Sequence, residues 1–229
     1  GRVQTPTLSI VVEREEKIRK HVARPYWEVK ATFDAAAGNY EGKWFDPKWK
    51  KNPDDPEARA DRVWIERDAQ AVRQAALGQP ASVTEEAKPS TQSAPGLYDL
   101  TTLQREANSR LGFSAKTTLS IAQALYEKHK VLTYPRTDAR ALPEDYLGVV
   151  SKTMQELGAQ TPYKAFAKQV LKSGWVRPNK RIFDNSKISD HFAIIPTLQT
   201  PGHLSEVEAK LYDLVVKRFL AVFFPAAEY

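Results

Sequence analysis

Within Leu132-Thr133-Tyr134-Pro135-Arg136-Thr137-Asp138 the chain sets a phenol, a guanidinium and a carboxylate inside five residues. Those groups can attack a phosphodiester and hold it. A free phenol ionises near ~10, so only about one in a thousand is phenolate at pH 7, and full activation is worth roughly 4 kcal/mol. A neighbouring cation such as Arg136 supplies part of that. Residues two apart on an extended segment face the same way, so Tyr134 and Arg136 can address one phosphate. Pro135 stiffens the link and donates no backbone hydrogen bond, which favours an edge or a break in regular structure. Taken alone, the pentapeptide from Tyr134 to Asp138 also reads as a packed turn with a surface arginine. Context has to decide.

The elements around it are legible from caps and periodicity. Thr101 or Thr102 caps a helix that runs through Arg110 and stops at Gly112. Ser114 caps the next, which carries Leu119, Ala122, Leu125 and Tyr126 inward. Lys128, His129 and Lys130 occupy its last turn, where cations suit the helix dipole. Val131 to Tyr134 then leaves as a short extended segment. Pro143 starts a helix with Tyr146, Val149, Val150, Thr153 and Leu157 on one face, and Thr161-Pro162 starts another with Tyr163, Phe166 and Val170. Ser205 and Glu208 match a capping box, followed by Val207, Leu211, Leu214, Val215, Arg218, Phe219 and Phe223 on the inward face.

The part before residue 97 reads differently. Gly1 to about Arg24 has Leu8, Val11, Val12 and Ile18 at near-helical spacing with a charged, solvated face, and Pro25 ends it. Tyr26 to Phe33 reads as a strand, Gly38-Asn39 as a turn and Tyr40 to Phe45 as the return strand. Residues 46–62, rich in Pro, Asp and Lys, read as an exposed loop flanked by Trp44 and Trp64, with Trp49 inside it. Interleaved tryptophans in a basic segment can stack bases, although tryptophans beside a hairpin more often pack on the sheet. Glu66 to Leu77 is a helix closed by Gly78, Ala81 to Lys88 a strand, and Pro89 to Gly96 a connector.

The composition sets outer limits. The chain has 229 residues, 41% of them apolar, enough for a core in one large domain or two modest ones. Lys plus Arg exceed Asp plus Glu by 34 to 28, a net charge of +6 that suits a polyanionic partner. There is no cysteine, which excludes disulfides, thiolate zinc sites and a cysteine nucleophile. No apolar run approaches the ~20 residues of a membrane span, and a cytoplasmic protein is the expectation. The chain opens at Gly1 without methionine and reads as a piece of a larger protein.

With Tyr134, Arg136, Thr137 and Asp138 in view, preceded by Leu125-Tyr126-Glu127, the stretch resembles the active-site segment of the type IA DNA topoisomerases. Gly1-Arg2-Val3-Gln4 is similar to that family's GRVQ-type motif, and Leu97-Tyr98-Asp99-Leu100-Thr101-Thr102-Leu103-Gln104 to its LxxLQ entry. Ser189-Asp190-His191-Phe192-Ala193-Ile194-Ile195-Pro196-Thr197 is similar to its H-x-A-I-x-P-T motif, and the order of all four matches. Tyr-Pro-Arg-Thr-Asp at 134–138, the Ala-Ile-Ile-Pro-Thr run and the Arg218 to Pro225 stretch resemble the topoisomerase III branch most. Asp190 and Phe192 depart from the family's pattern and leave His191 the sole imidazole of its motif.

The resemblance implies an α+β fold: an incomplete β-containing arch domain and a mainly helical domain of the catabolite-activator, helix-turn-helix type that carries the active-site tyrosine. Residues 1–24 would end a preceding DNA-binding domain, 25–96 begin the arch, 97–224 form the helical domain and 225–229 start the return to the arch. It implies that Tyr134 attacks single-stranded DNA to form a 5′-phosphotyrosyl link without ATP, permitting strand passage, relaxation and decatenation. Arg136 and His191 would hold the phosphate, Arg2 and Gln4 would grip the backbone, and Glu127, Thr137 and Asp138 would support them. Mg²⁺ would be bound by an acidic toprim domain with no counterpart in these residues, so the chain alone is expected to lack turnover. The enzyme is expected to be a monomer, nucleoid-associated if prokaryotic, with RNA as a further substrate and a helicase partner left open. The segments 89–96 and Phe224-Pro225 are hinge candidates.

Two other readings compete. One is a basic module that holds single-stranded nucleic acid with no chemistry of its own. The other is a tyrosine site-specific recombinase, for which His21-Val22-Ala23-Arg24 offers an HxxR match.

Overall fold

A computed structural model describes residues 1–160 and 162–229, which divide into two compact units, Gly1–Glu85 and Glu86–Tyr229. The fold is mixed, with seven α-helices and two small sheets among the described residues.

The first unit opens with helix α1, Gln4–Arg19, which has no buried residue. Pro6 falls in its first turn, where its missing amide costs nothing. Exposed ion pairs one turn apart, Arg19 with Glu15 and Lys20 with Glu16, brace its end. The helix stops several residues before Pro25 and not at Arg24, so the chain is already irregular when proline arrives. Leu8, Val11, Val12 and Ile18 do form one stripe, but all four are exposed.

Strands β1, Lys30–Ala35, and β2, Gly38–Lys43, pair antiparallel with Ala35 opposite Gly38. The turn is therefore Ala36-Ala37, two residues earlier than the Gly38-Asn39 expectation. In the expected strand's first half Trp27 forms a bridge to Val63, and the Val29 carbonyl accepts from the Trp44 amide at 2.9 Å. Phe33 stacks on Tyr40 at 5.1 Å, and its ring lies over Gly42, where a Cβ would sit 2.8 Å from Cε2. Arg24 covers the face of Trp64 at 3.6 Å and Arg62 that of Tyr26 at 4.1 Å, so this cluster is packed against its own cations. Helix α2, Glu66–Ala76, is followed by Gly78 at φ +70. Residues 81–88 form no strand; they are exposed and pair with nothing among the described residues.

The second unit holds the large core. Strand β3, Thr91–Gln92, lies inside the expected connector and pairs antiparallel with β4, Ala227–Glu228, at the end of the chain. Helix α3, Leu100–Leu111, is capped by Asp99, whose carboxylate accepts from the Thr102 amide at 2.6 Å. Thr102 is thus the reciprocal member of a capping box and not the cap itself. Gly112 ends α3 at φ +71, and Ser114 caps α4, Ala115–Glu127, as its sequence demands.

Pro143 opens a single 3₁₀ turn before α5, Leu147–Ala159. Helix α6, Lys164–Lys172, follows; the part of its expected start at Thr161 lies outside the described residues. Phe166 on α6 is exposed and not inward, edge-on to Phe224 at 6.3 Å. Helix α7, Glu206–Ala221, has the Ser205 and Glu208 capping box and buries Leu211, Leu214, Val215 and Phe219; Val207 stays exposed. Packed together, α3, α4 and α7 with α5 and α6 bury Leu103, Leu125, Met154, Leu157 and Phe219 to 1% exposure or less. That core is the rigid body behind the site.

Candidate active site

Three irregular strips cross the surface of the helical core in the second unit. Tyr98 bridges Ile194 and Leu132 bridges Pro196, both antiparallel. The Ile194 amide donates to the Tyr98 carbonyl at 2.8 Å, the Thr133 amide to the Ile195 carbonyl at 3.0 Å, and the Leu100 amide to the Thr137 carbonyl at 3.0 Å. Apolar side chains drive the join: Leu97, Leu132, Ile194 and Ile195 are 1% exposed. Three of the four sequence motifs thereby become neighbours.

Side-chain hydroxyls lock the middle of the seam. Thr133 donates to the Ala193 carbonyl at 3.0 Å and accepts from the Ile195 amide at 2.9 Å. Thr137, 7% exposed, donates to the His191 carbonyl at 2.8 Å. Upstream, Lys130 takes a positive φ of 59, and Val131 donates back to Leu125, so α4 turns sharply into the strip that carries Tyr134.

Along that strip burial alternates. Pro135, Thr137, Ala139 and Ala141 point in, whereas Arg136, Asp138 and Arg140 are exposed and Tyr134 is half-buried. This period of two puts Tyr134 and Arg136 on one face, as their spacing predicts. Tyr134 stands edge-on to Tyr126 at 5.4 Å and against the ring of His191 at 4.2 Å. Arg136 donates from Nη2 to Gln123 Oε1 at 3.3 Å. Gln123 and Tyr126 lie three apart on α4, so one helix face supports both the phenol and the guanidinium. Gln123 was not among the sequence candidates; its signal is the spacing to Tyr126 on a helix already legible.

Asp138 accepts from the Ser189 hydroxyl at 3.2 Å, an exposed tie between the two motifs. Glu127, at the end of α4, is exposed and forms no ion pair or side-chain hydrogen bond among the described residues. Arg2 and Gln4 belong to the other unit, at the exposed start of α1. Tyr98, beneath the seam, is held neutral by burial, with its hydroxyl pKa pushed above the ordinary phenol range and Arg218 over its ring at 4.3 Å.

Among the described residues no three His, Asp or Glu side chains gather as a metal cage would require. The carboxylates nearest Tyr134 in sequence, Glu127 and Asp138, are exposed and do not converge. These residues do not fit a Mg²⁺ site by themselves.

A family model described as DNA topoisomerase matches residues 1–229, and so takes in all four motifs. The chain belongs to the DNA topoisomerase family. It is 42% identical to DNA topoisomerase 3 of Bacillus licheniformis and 40% identical to DNA topoisomerase 3 of Bacillus subtilis, in each case over all of this chain. The topoisomerase III branch read from the motifs agrees with both. The chain spans 30% of the length of each of these curated relatives. Its fold is similar to that of full-length topoisomerase I from Thermotoga maritima, with a TM-score of 0.62 at 23% identity over the whole chain and 34% of that structure. No helix among the described residues is long and apolar enough to cross a membrane.

Proposed function

We propose that this family member contributes the nucleophile of a type IA topoisomerase, with Tyr134 attacking a DNA phosphodiester in a single strand. The observation that carries the reading is the meeting of Tyr134 with His191 at 4.2 Å, beside Arg136 on the same solvent-facing strip. Tyr134 Oη forms a bond to phosphorus while the bond to the 3′ oxygen breaks. The phenol proton ends on the departing 3′ oxygen, so the strand leaves with a 3′ hydroxyl, and the 5′ phosphate stays on the enzyme. Religation reverses the step, and no ATP is needed because the covalent link conserves the phosphodiester energy.

Arg136 neutralises the phosphate as negative charge gathers on it, and its exposed guanidinium needs only to leave Gln123 to do so. His191, against the Tyr134 ring, donates to the same phosphate. Thr137 and Asp138 position the two strips, with Glu127 assigned a supporting role beside them, and Arg2 and Gln4 are assigned to the DNA backbone. Strand passage, relaxation and decatenation belong to a longer polypeptide in this reading, together with the arch and helical domain assignment and a Mg²⁺ supplied by other residues. The reading is of one monomeric enzyme acting in the cytoplasm.

Against a recombinase stands the occupation of Arg24, which lies over Trp64 and pairs with Asp55 at 3.0 Å. The decisive experiment incubates the longer polypeptide with a labelled single-stranded oligonucleotide, denatures it and maps the adduct. A 5′-phosphotyrosine at residue 134, lost in Tyr134→Phe, is the expected result. A 3′ linkage, or an adduct on another residue, would sink the proposal; binding with no adduct would favour the plain binding module.

A further inference from the structure

Beyond Arg136 the exposed face of the Tyr134 strip continues through Asp138 to Arg140, and there it borders a second, polar hollow. This cavity of about 420 Å³ is lined by Gly96, Asp138, Arg140, Arg181 and Lys187. Its two arginines are held in place by backbone carbonyls and not by carboxylates. Arg140 donates through Nε to the Leu97 carbonyl at 3.1 Å, and its guanidinium lies against Gly96, where a Cβ would meet Nη2 at 3.4 Å. Arg181 donates through Nη2 to the Ala94 carbonyl. Lys187 instead pairs with Asp184 at 2.9 Å. Neither Arg140 nor Arg181 forms an ion pair among the described residues, and Asp138 is turned toward Ser189 at 3.2 Å.

A guanidinium that spends one donor on a carbonyl keeps the rest of its fork and all of its charge. Two such groups around one hollow make a site for a phosphate diester, with Lys187 at the rim. Arg136 and Arg140 are four residue steps apart, at most about 14 Å when the chain is fully extended. A single strand covers that span in about two nucleotide steps.

We propose that Arg140 and Arg181 form a second phosphate-binding subsite, which holds the same DNA strand to one side of the phosphate that Tyr134 attacks. This rests on the reading of Tyr134 as the nucleophile. The subsite fixes the strand's direction across the strip, because Arg136 alone would hold a phosphate without orienting its neighbours. Since Arg140 and Arg181 also grip the carbonyls of Leu97 and Ala94, occupancy of the subsite reaches the segment between β3 and α3.

The test is equilibrium binding of fluorescein-labelled oligothymidylate to the full chain across a salt series, for the parent, Arg140→Gln/Arg181→Gln, and a charge-matched control, Lys168→Gln/Lys172→Gln. For single strands each neutralised phosphate contributes a slope of about 0.7 in log K against log salt, so losing this one phosphate site should make the arginine variant shallower by about 0.7, while the control keeps the slope of the parent. An equal loss in both double variants would show diffuse attraction only and overturn the proposal.

A second measurement needs no variant. Oligonucleotides with one methylphosphonate at successive positions are scored for Tyr134 adduct formation in the longer polypeptide. One uncharged position about two steps from the linkage should lower the adduct yield in the parent and have no further effect in the arginine variant. No such position, with the adduct intact, overturns the subsite alone. Absence of any Tyr134 adduct overturns the nucleophile reading itself, and the two failures are thereby distinct.

Discussion

The buried hydroxyl of Thr137 donates to the carbonyl oxygen of His191 at 2.8 Å and accepts from the Ala139 amide at 3.0 Å. One side chain thus ties the strip that carries Tyr134 and Arg136 to the strip that carries His191. Thr137→Val keeps the shape and leaves both backbone groups unpartnered, at an expected cost of about 1–3 kcal/mol. Urea titration of the variant should show a lower midpoint, and Thr137→Ser should recover most of it. A valine variant as stable as the parent would show the tie to be dispensable.

Arg136 is exposed, and among the described residues its one side-chain hydrogen bond is to Gln123. Arg136→Ala should therefore leave stability within about 0.5 kcal/mol but lower the rate of Tyr134 adduct formation by ~10²-fold or more. Arg136→Lys keeps charge without the fork and should fall between the two. Equal adduct rates in all three proteins would remove Arg136 from the phosphate.

Glu208 sits at the start of α7, where the Ser205 amide donates to it at 2.8 Å, the Ser205 hydroxyl at 2.8 Å, and His129 lies 3.0 Å away. The Ser205 amide, then its hydroxyl, then His129 pull the Glu208 carboxyl down to about 2. A lowered carboxylate pKa adds stability that is complete above the unfolded value of ~4.3 and is lost as pH falls toward about 2. Glu208→Gln should flatten the stability profile in that window while costing stability at neutral pH. An unchanged acid limb in the variant would contradict the assignment.

Arg218 joins three groups: it donates to the Gly96 carbonyl at 3.1 Å, pairs with Glu106 and covers the ring of Tyr98. Its side chain is 11% exposed and that of Glu106 20%, so solvent screens the pair only in part. Arg218→Met should cost about 2–3 kcal/mol, below the range for a fully buried pair. Arg218→Met with Glu106→Gln should recover part of the loss, since the stranded charge is then removed. A double variant no better than the single one would show that the contacts with Tyr98 and Gly96 dominate.

Much of the helical framework is local in origin and so was legible. Ser114, Gly112, Ser205 with Glu208, and Gly78 mark helix ends by groups that act within one turn. Where a helix end depends on a choice between neighbours, the reading slipped, as with Asp99 over Thr101 or Thr102. Strands fared worse, because a strand needs a partner. Ala81 to Lys88 has strand-like composition but no strand partner among the described residues, whereas Thr91-Gln92 lacks a strand pattern and pairs with the far end of the chain. Phe166 and Val207 follow helical spacing yet stay exposed, since periodicity names a face without saying what covers it.

By itself the sequence determined the chemical types and their short-range placement: Tyr134 and Arg136 two residues apart, the stiff Pro135 between them, and the ordered motifs that mark the family. It also determined α4, whose Gln123 and Tyr126 support both groups. Only the tertiary structure decided that His191 reaches Tyr134, that Glu127 stands clear, and that Arg140 and Arg181 share one hollow. Those contacts arise when Leu132, Ile194 and Ile195 leave water and the exposed amides of the strips find each other's carbonyls. The partners are far apart in the chain, so no local pattern of caps, turns or periodicity contains them.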